Sequence, residues 1–170
     1  MENSDRKWHI AYTRSFQERK VSERLNLIGV ENYLASQKIP HRWSDRIKIV
    51  DHIIIPRVIF IKTDRSEYKL ISDSIPAICG FMSDPATHKY AVIKDAELEN
   101  FKAMVQRSSL EVVFNKANLR PGDKAVVLDG PFTGIECEVV KLRDKTNIAV
   151  RLSGLGYAVL DISQDNLKKL

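Results

Sequence analysis

The stretch Trp8-His9-Ile10-Ala11-Tyr12-Thr13-Arg14 sets Trp8, Ile10 and Tyr12 against His9, Ala11 and Thr13 in strict alternation. Successive side chains of a pleated strand point to opposite faces, so this run predicts a first strand. Ser15 follows, with Glu18 three positions on, the capping-box pattern that opens a helix. In that helix Val21, Leu25 and Ile28 recur at helical spacing, and Gly29 ends it. Val30–Leu34 reads as a second strand. Further out, Gln37–Val50 interleaves charged residues with Ile39, Trp43, Ile47 and Ile49 around Ser44-Asp45, which predicts a hairpin standing away from the core. Val58–Ile61 is too continuously apolar for a surface strand and suits the middle of a sheet. Ser66–Ser72 reads as a short helix and Ile75–Met82 as a strand. Asp95 caps a last helix carrying Leu98, Phe101, Met104 and Val105. The order predicts an α+β fold, an antiparallel sheet sandwiched by helices.

The pattern changes after Gln106. Arg107–Arg120 has no sustained period and ends at Pro121-Gly122-Asp123, a turn signal, so it reads as a linker. Beyond it, Lys124–Leu128, Ile135–Leu142, Asn147–Leu152 and Tyr157–Ile162 read as short strands. Turns are supplied by Asp129-Gly130-Pro131, Asp144-Lys145 and the glycines Gly154 and Gly156. Strands of this length with one apolar face each predict a small all-β barrel. The expected organisation is a first domain over 1–106, a linker over 107–120 and a second domain over 121–170.

Composition narrows the function classes. The chain has 170 residues, with 27 Lys and Arg against 22 Asp and Glu, a net charge of +5. That balance permits phosphate contact without the dense basic stripe of a dedicated DNA binder. The most apolar stretch, Ile53–Ile61, is broken by Pro56 and Arg57 and falls short of the roughly 18 residues a membrane span needs. The polar N-terminus lacks the apolar centre of a secretory signal, and Cys79 and Cys137 make no disulfide framework, so a cytoplasmic location is expected. No phosphate-binding glycine loop, HExxH, GxSxG or CxxC occurs. Gly154-Leu155-Gly156 lacks the third glycine of a dinucleotide fingerprint. His9, His41, His52 and His88 show no metal-ligand spacing, and Glu97 and Glu99 suit a helix N-terminus. Cys79, inside an apolar strand, reads as a buried inert thiol. No catalytic residue, metal or cofactor is expected, and the chain does not read as an enzyme.

Two constellations are left. Lys20 and Arg24 share a helix face and Arg14 ends the adjacent strand. They form either a patch that holds a phosphate backbone or a solvated face balanced by Glu18 and Glu23. Ile10, Tyr12, Ile53, Ile54, Ile55, Val58, Phe60, Ile78 and Phe81 are many apolar groups for one small sheet. They are either all core or in part an exposed groove for a partner helix.

Trp8–Tyr12 with Arg14, Glu18, Lys20, Val21, Leu25, Gly29 and Tyr33-Leu34 resembles the start of the NusG N-terminal domain. The likeness continues through Trp43-Ser44-Asp45-Arg46 and Ile55-Pro56-Arg57-Val58-Ile59-Phe60-Ile61. After the linker, Pro121-Gly122-Asp123 to Gly130-Pro131-Phe132-Thr133-Gly134 and on to Val140 resembles a KOW motif. The resemblance implies a non-enzymatic transcription elongation or antitermination factor whose first domain docks on the clamp helices of RNA polymerase. By position, the docking patch would include Ile10, Tyr12, Val58, Phe60, Ile78 and Phe81, and Arg14, Lys20 and Arg24 would face the non-template DNA strand. The KOW domain would recruit a small-subunit ribosomal protein or a termination factor through Ile135 and Leu155. Arg57-Val58 stands where the family has Gly-Tyr, and Cys137 where KOW has glycine. These departures, with the Trp-Ser-Asp-Arg and Ile-Pro-Arg-Val-Ile-Phe runs, are similar to specialised paralogues of the RfaH and UpxY type, the latter serving capsular polysaccharide operons. KOW domains also occur in ribosome-associated RNA-binding proteins, the alternative. That reading asks for a denser basic surface than residues 107–170 offer, with 10 basic against 8 acidic groups.

Overall fold

The computed structural model describes residues 6–115, 122–128, 130–142, 145–161 and 167–170. In chain order the elements are β1 (Lys7–Thr13), α1 (Glu18–Leu27), β2 (Asn32–Tyr33), β3 (Ser36–Arg42), β4 (Ile47–Ile53), β5 (Val58–Thr63) and α2 (Tyr68–Ser74). There follow β6 (Ile78–Phe81), β7 (Val92–Ile93), α3 (Asp95–Arg107) and β8 (Val113–Asn115). The last five are β9 (Lys124–Val127), β10 (Glu136–Leu142), β11 (Lys145–Leu152), β12 (Gly156–Asp161) and β13 (Leu167–Lys169). Two compact units form, Met1–Ala35 with Ile55–Asp95, and Ser36–Ile54 with Ala96–Leu170.

In the first unit the strands lie in the order β2-β5-β1-β6, with β7 also pairing β1. The apolar run Val58–Ile61 is central, as its continuity requires, and β5 runs antiparallel to β1 with Ile10 opposite Phe60 and Tyr12 opposite Val58. Residues directly opposite share a face. Ala11, Ile59 and Ile61 therefore lie on one side, where Val21 and Leu25 of α1, Ile71 of α2, and Ile75, Ile78 and Phe81 join them in a buried cluster. Trp8, Ile10, Tyr12, Val58 and Phe60 lie on the other side, with Tyr33 stacked on Phe60 at 6.1 Å.

Three local expectations give way here. Ser15 does not cap α1; Gln17 is the N-cap and makes no side-chain capping bond. Phe16 turns the chain through a left-handed conformation (φ 61°), which delays the helix to Glu18. The Glu18 carboxylate instead accepts from the backbone N–H of Arg57, itself left-handed at φ 63°, and so pins the entrance of β5. Ile28 is half exposed because α1 ends at Leu27, with Gly29 (φ 73°) completing the stop. Cys79 is exposed, not buried. The β1–β6 ladder slips there: Tyr12 pairs with Gly80 but Thr13 with Ile78, so Cys79 is the extra residue of a bulge.

In the second unit β3 and β4 form the expected hairpin around Ser44-Asp45, and residues 40–52 are all exposed. Its base is tied by Gln37, which is buried. The Gln37 amide donates to the carbonyls of Ser108 and Leu110 and accepts from the N–H of Val112. α3 buries Leu98, Phe101, Met104 and Val105, and its Glu97 accepts from both the hydroxyl and the backbone N–H of Ser153. The remaining strands form an all-β sheet in the order β13-β9-β10-β11-β12-β8. β8 falls in the stretch read as a linker, pairing with β12 through Ala158 and Phe114. One face of this sheet carries Cys137, Ile148, Val150 and Leu152; the other carries a smaller cluster of Val140, Ala149 and Val159. The expected linker end Lys116–Arg120 and the turn residues Pro121, Asp129 and Asp144 lie outside the described residues. Among the described residues no helix is long and apolar enough to cross a membrane, and no cluster of potential metal ligands forms.

Candidate functional site

The six apolar positions implied for partner docking divide between two faces of one sheet. Ile10, Tyr12, Val58 and Phe60 share the face opposite α1 and α2. Ile78 and Phe81 sit three residues apart, yet the bulge brings both onto the other face, opposite Thr13 and Ala11, where they join the helix-covered core. Exposure separates them further. Ile10, Val58 and Phe60 are at most 2% exposed, Ile78 and Phe81 at most 9%, and only Tyr12, at 37%, presents substantial surface.

The three basic positions are all exposed. Arg14 closes β1, with its N–H bonded to the Ala77 carbonyl; Lys20 and Arg24 follow at one-turn spacing on α1. The structure adds Phe16, which sequence reasoning passed over. It is 94% exposed, between Arg14 and Lys20 in sequence, on a strained backbone. Burial cannot be its role, and a left-handed non-glycine residue with an aromatic ring in water suits a contact. The only sequence signal was an apolar residue outside the helical period.

Ile135 and Leu155, the positions implied for a C-terminal partner, are buried. Ile135 leads into β10, its N–H bonded to the Phe132 carbonyl, and Leu155 lies in the β11–β12 turn, bonded to Leu152. Cys137, at the expected glycine position, tucks its side chain inward, with Sγ 3.6 Å from the Ala125 carbonyl. Burial, aided by the neighbouring Glu138 charge, pushes its thiol up to about 11, so it is inert as a nucleophile at neutral pH.

A family model described as "Transcription termination factor nusG" matches residues 6–102, more than half the chain. Among solved structures, that titled "Domain interaction in Thermotoga maritima NusG" is 18% identical, with 98% of each chain covered and a TM-score of 0.54. It bears out an α+β first part followed by an all-β sheet. The MjSpt4:Spt5 complex in conformation A is 12% identical over 96% of this chain and 97% of that one, at a TM-score of 0.32. No curated protein matches.

Proposed function

The chain belongs to the NusG family of transcription factors, and from that premise we propose that it binds elongating RNA polymerase and suppresses pausing and termination at particular operons. The observation that carries this reading is the family match over residues 6–102, the stretch holding Tyr12, Arg14, Lys20 and Arg24. No chemistry is required. A factor that holds the polymerase closed on its nucleic acid acts through higher affinity for that closed state than for the paused one.

Residues 1–106 carry the polymerase contact, 107–120 link, and 121–170 recruit a small-subunit ribosomal protein or a termination factor. The clamp helices lie against the sheet face of Tyr12, Ile10, Val58 and Phe60. Three of these four are buried in this structure, so docking requires that face to be uncovered, and the partner must supply the difference in affinity. Ile78 and Phe81 support the face from the opposite side of the sheet. Arg14, Lys20 and Arg24 meet the non-template strand, and the exposed Phe16, between Arg14 and Lys20 in sequence, stacks on an unpaired base. Arg57-Val58 and Cys137, departing from the family pattern, support an operon-specific paralogue of the capsular polysaccharide type.

The test is affinity capture of polymerase subunits with the full chain and with Tyr12→Ala. Tyr12 is partly exposed, so its loss spares the fold, whereas Phe60→Ala would cost roughly 3–5 kcal/mol of stability. Capture by the wild type and a roughly tenfold or greater loss in Tyr12→Ala are expected, as for a buried aromatic anchor. Equal capture by both proteins removes the docking claim.

A further inference from the structure

Where β1 begins, the first unit holds an open cavity of about 850 Å³ lined by Lys7, His9, Arg65, Tyr68, Lys89 and Tyr90, among others. A second of about 480 Å³ shares Arg65, Tyr68 and Tyr90 with it and extends to Lys69. Together they make one groove with two tyrosines at its middle and cations along its length. The tyrosine rings meet edge to face at 4.6 Å. Tyr68 is held in place: its hydroxyl donates to His9 Nε2 at 2.8 Å, and His9 Nδ1 donates to the Ala91 carbonyl at 2.9 Å. Tyr90 is 42% exposed. A pre-ordered aromatic pair loses little freedom when a flat ring stacks on it.

Charge selects the ligand. Among the described residues Lys7, Arg65, Lys69 and Lys89 make no ion pair. Asp64 is the only carboxylate on the described lining, and it is occupied by the N–H and hydroxyl of Ser66. Glu67 beside it is bound to Arg6 and Thr63, and Asp84 to Ala86 and Thr87. Cations without partners exclude a metal ion and select a polyanion. Adding two tyrosines selects one with flat rings between its charges. An acidic peptide uses the cations but not the rings.

We propose that this groove binds single-stranded nucleic acid, with phosphates against Lys7, Arg65 and Lys89 and a base stacked on Tyr90. The site is separate from the patch of Arg14, Lys20 and Arg24. Lys7 opens β1 and Arg14 follows its last residue, Thr13, about 23 Å away at ~3.3 Å per residue. It needs no polymerase.

The experiment is fluorescence anisotropy of the full chain with a labelled ten-nucleotide oligothymidylate and its oligouridylate counterpart. Competitors are thymidine monophosphate, the duplex and polyglutamate. Arg65→Glu with Lys89→Glu, and separately Tyr90→Ala, should each weaken oligonucleotide binding roughly tenfold or more. All three residues are exposed, and unchanged melting curves will verify the fold. Arg14→Glu with Lys20→Glu should cost less than the groove double variant. The DNA and RNA arms identify which strand is preferred; binding of either supports the site. The proposal is overturned if the groove variants bind like wild type, if the monophosphate competes as well as the oligomer, or if polyglutamate binds more tightly.

Discussion

A histidine in water is partly charged near neutral pH, and His9 has no room for that charge. It is buried between β7 and α2, with Tyr68, Phe81 and the Ala91 carbonyl around it. Burial lowers its pKa; the bond to Ala91 opposes that shift and the Lys7 charge adds to it. With the folded value below the unfolded value near 6.5, the contribution to stability is complete above that pH. It is lost as pH falls towards the folded value, because the unfolded chain takes up the proton first. Melting temperature should therefore drop from about pH 7.5 to about pH 5, and His9→Gln should flatten this slope while lowering the neutral-pH value. An unaltered slope in His9→Gln would assign the drop to other groups. Phe16 and Arg57 show another residue-scale balance. Each sits in left-handed backbone at a cost of roughly 1 kcal/mol. The Glu18 carboxylate offsets that cost at Arg57, while the Phe16 side chain stands 94% exposed.

Among elements, the β3–β4 hairpin depends on one side chain at its root. Gln37 satisfies Ser108, Leu110 and Val112, so Gln37→Ala removes three bonds and strands the buried Val112 amide. A loss of about 2 kcal/mol is expected, with faster hydrogen exchange at Val112; wild-type exchange would mean that the hairpin is held by other means. No pattern in the sequence announces this bond, since its partners lie more than 70 residues away. What was legible follows the same rule. β1, β5, the hairpin and the buried face of α3 were readable because period and apolar continuity are local. β8 and β13 are only three residues each, too short to show a period. At the first turn of α1, Ser15 and Glu18 match the capping box locally, yet the Glu18 carboxylate bonds the distant Arg57 N–H instead. The candidate site was half legible. Spacing put Lys20 and Arg24 on one face of α1 beside the strand end at Arg14, and all three are exposed. Ile78 and Phe81 changed face through a bulge at Cys79, and a one-residue slip of that kind is decided by pairing rather than by composition. The tyrosine groove was invisible because Lys7, Arg65 and Lys89 are brought together only by the sheet.

For the molecule as a whole, the two contacts proposed above can be separated because their forces differ. The proposed docking through Tyr12 and its neighbours would be apolar and depend weakly on salt. The proposed contact between the basic patch and the non-template strand would be electrostatic, and neutralising each phosphate of a single strand contributes a log–log salt slope of about 0.7. Arg24 is exposed on α1 and is not part of the buried cluster that Val21 and Leu25 join, so Arg24→Glu reverses a charge without disturbing that packing. The net charge falls by two units from +5, too little to abolish general attraction to a polyanion. In a reconstituted elongation assay this variant should suppress pausing several-fold less than wild type while capturing polymerase to the same extent. Its remaining activity should also respond less steeply to salt. Parallel loss of capture and pause suppression would mean that Arg24 belongs to the polymerase contact, and the DNA role of the patch would fall with it.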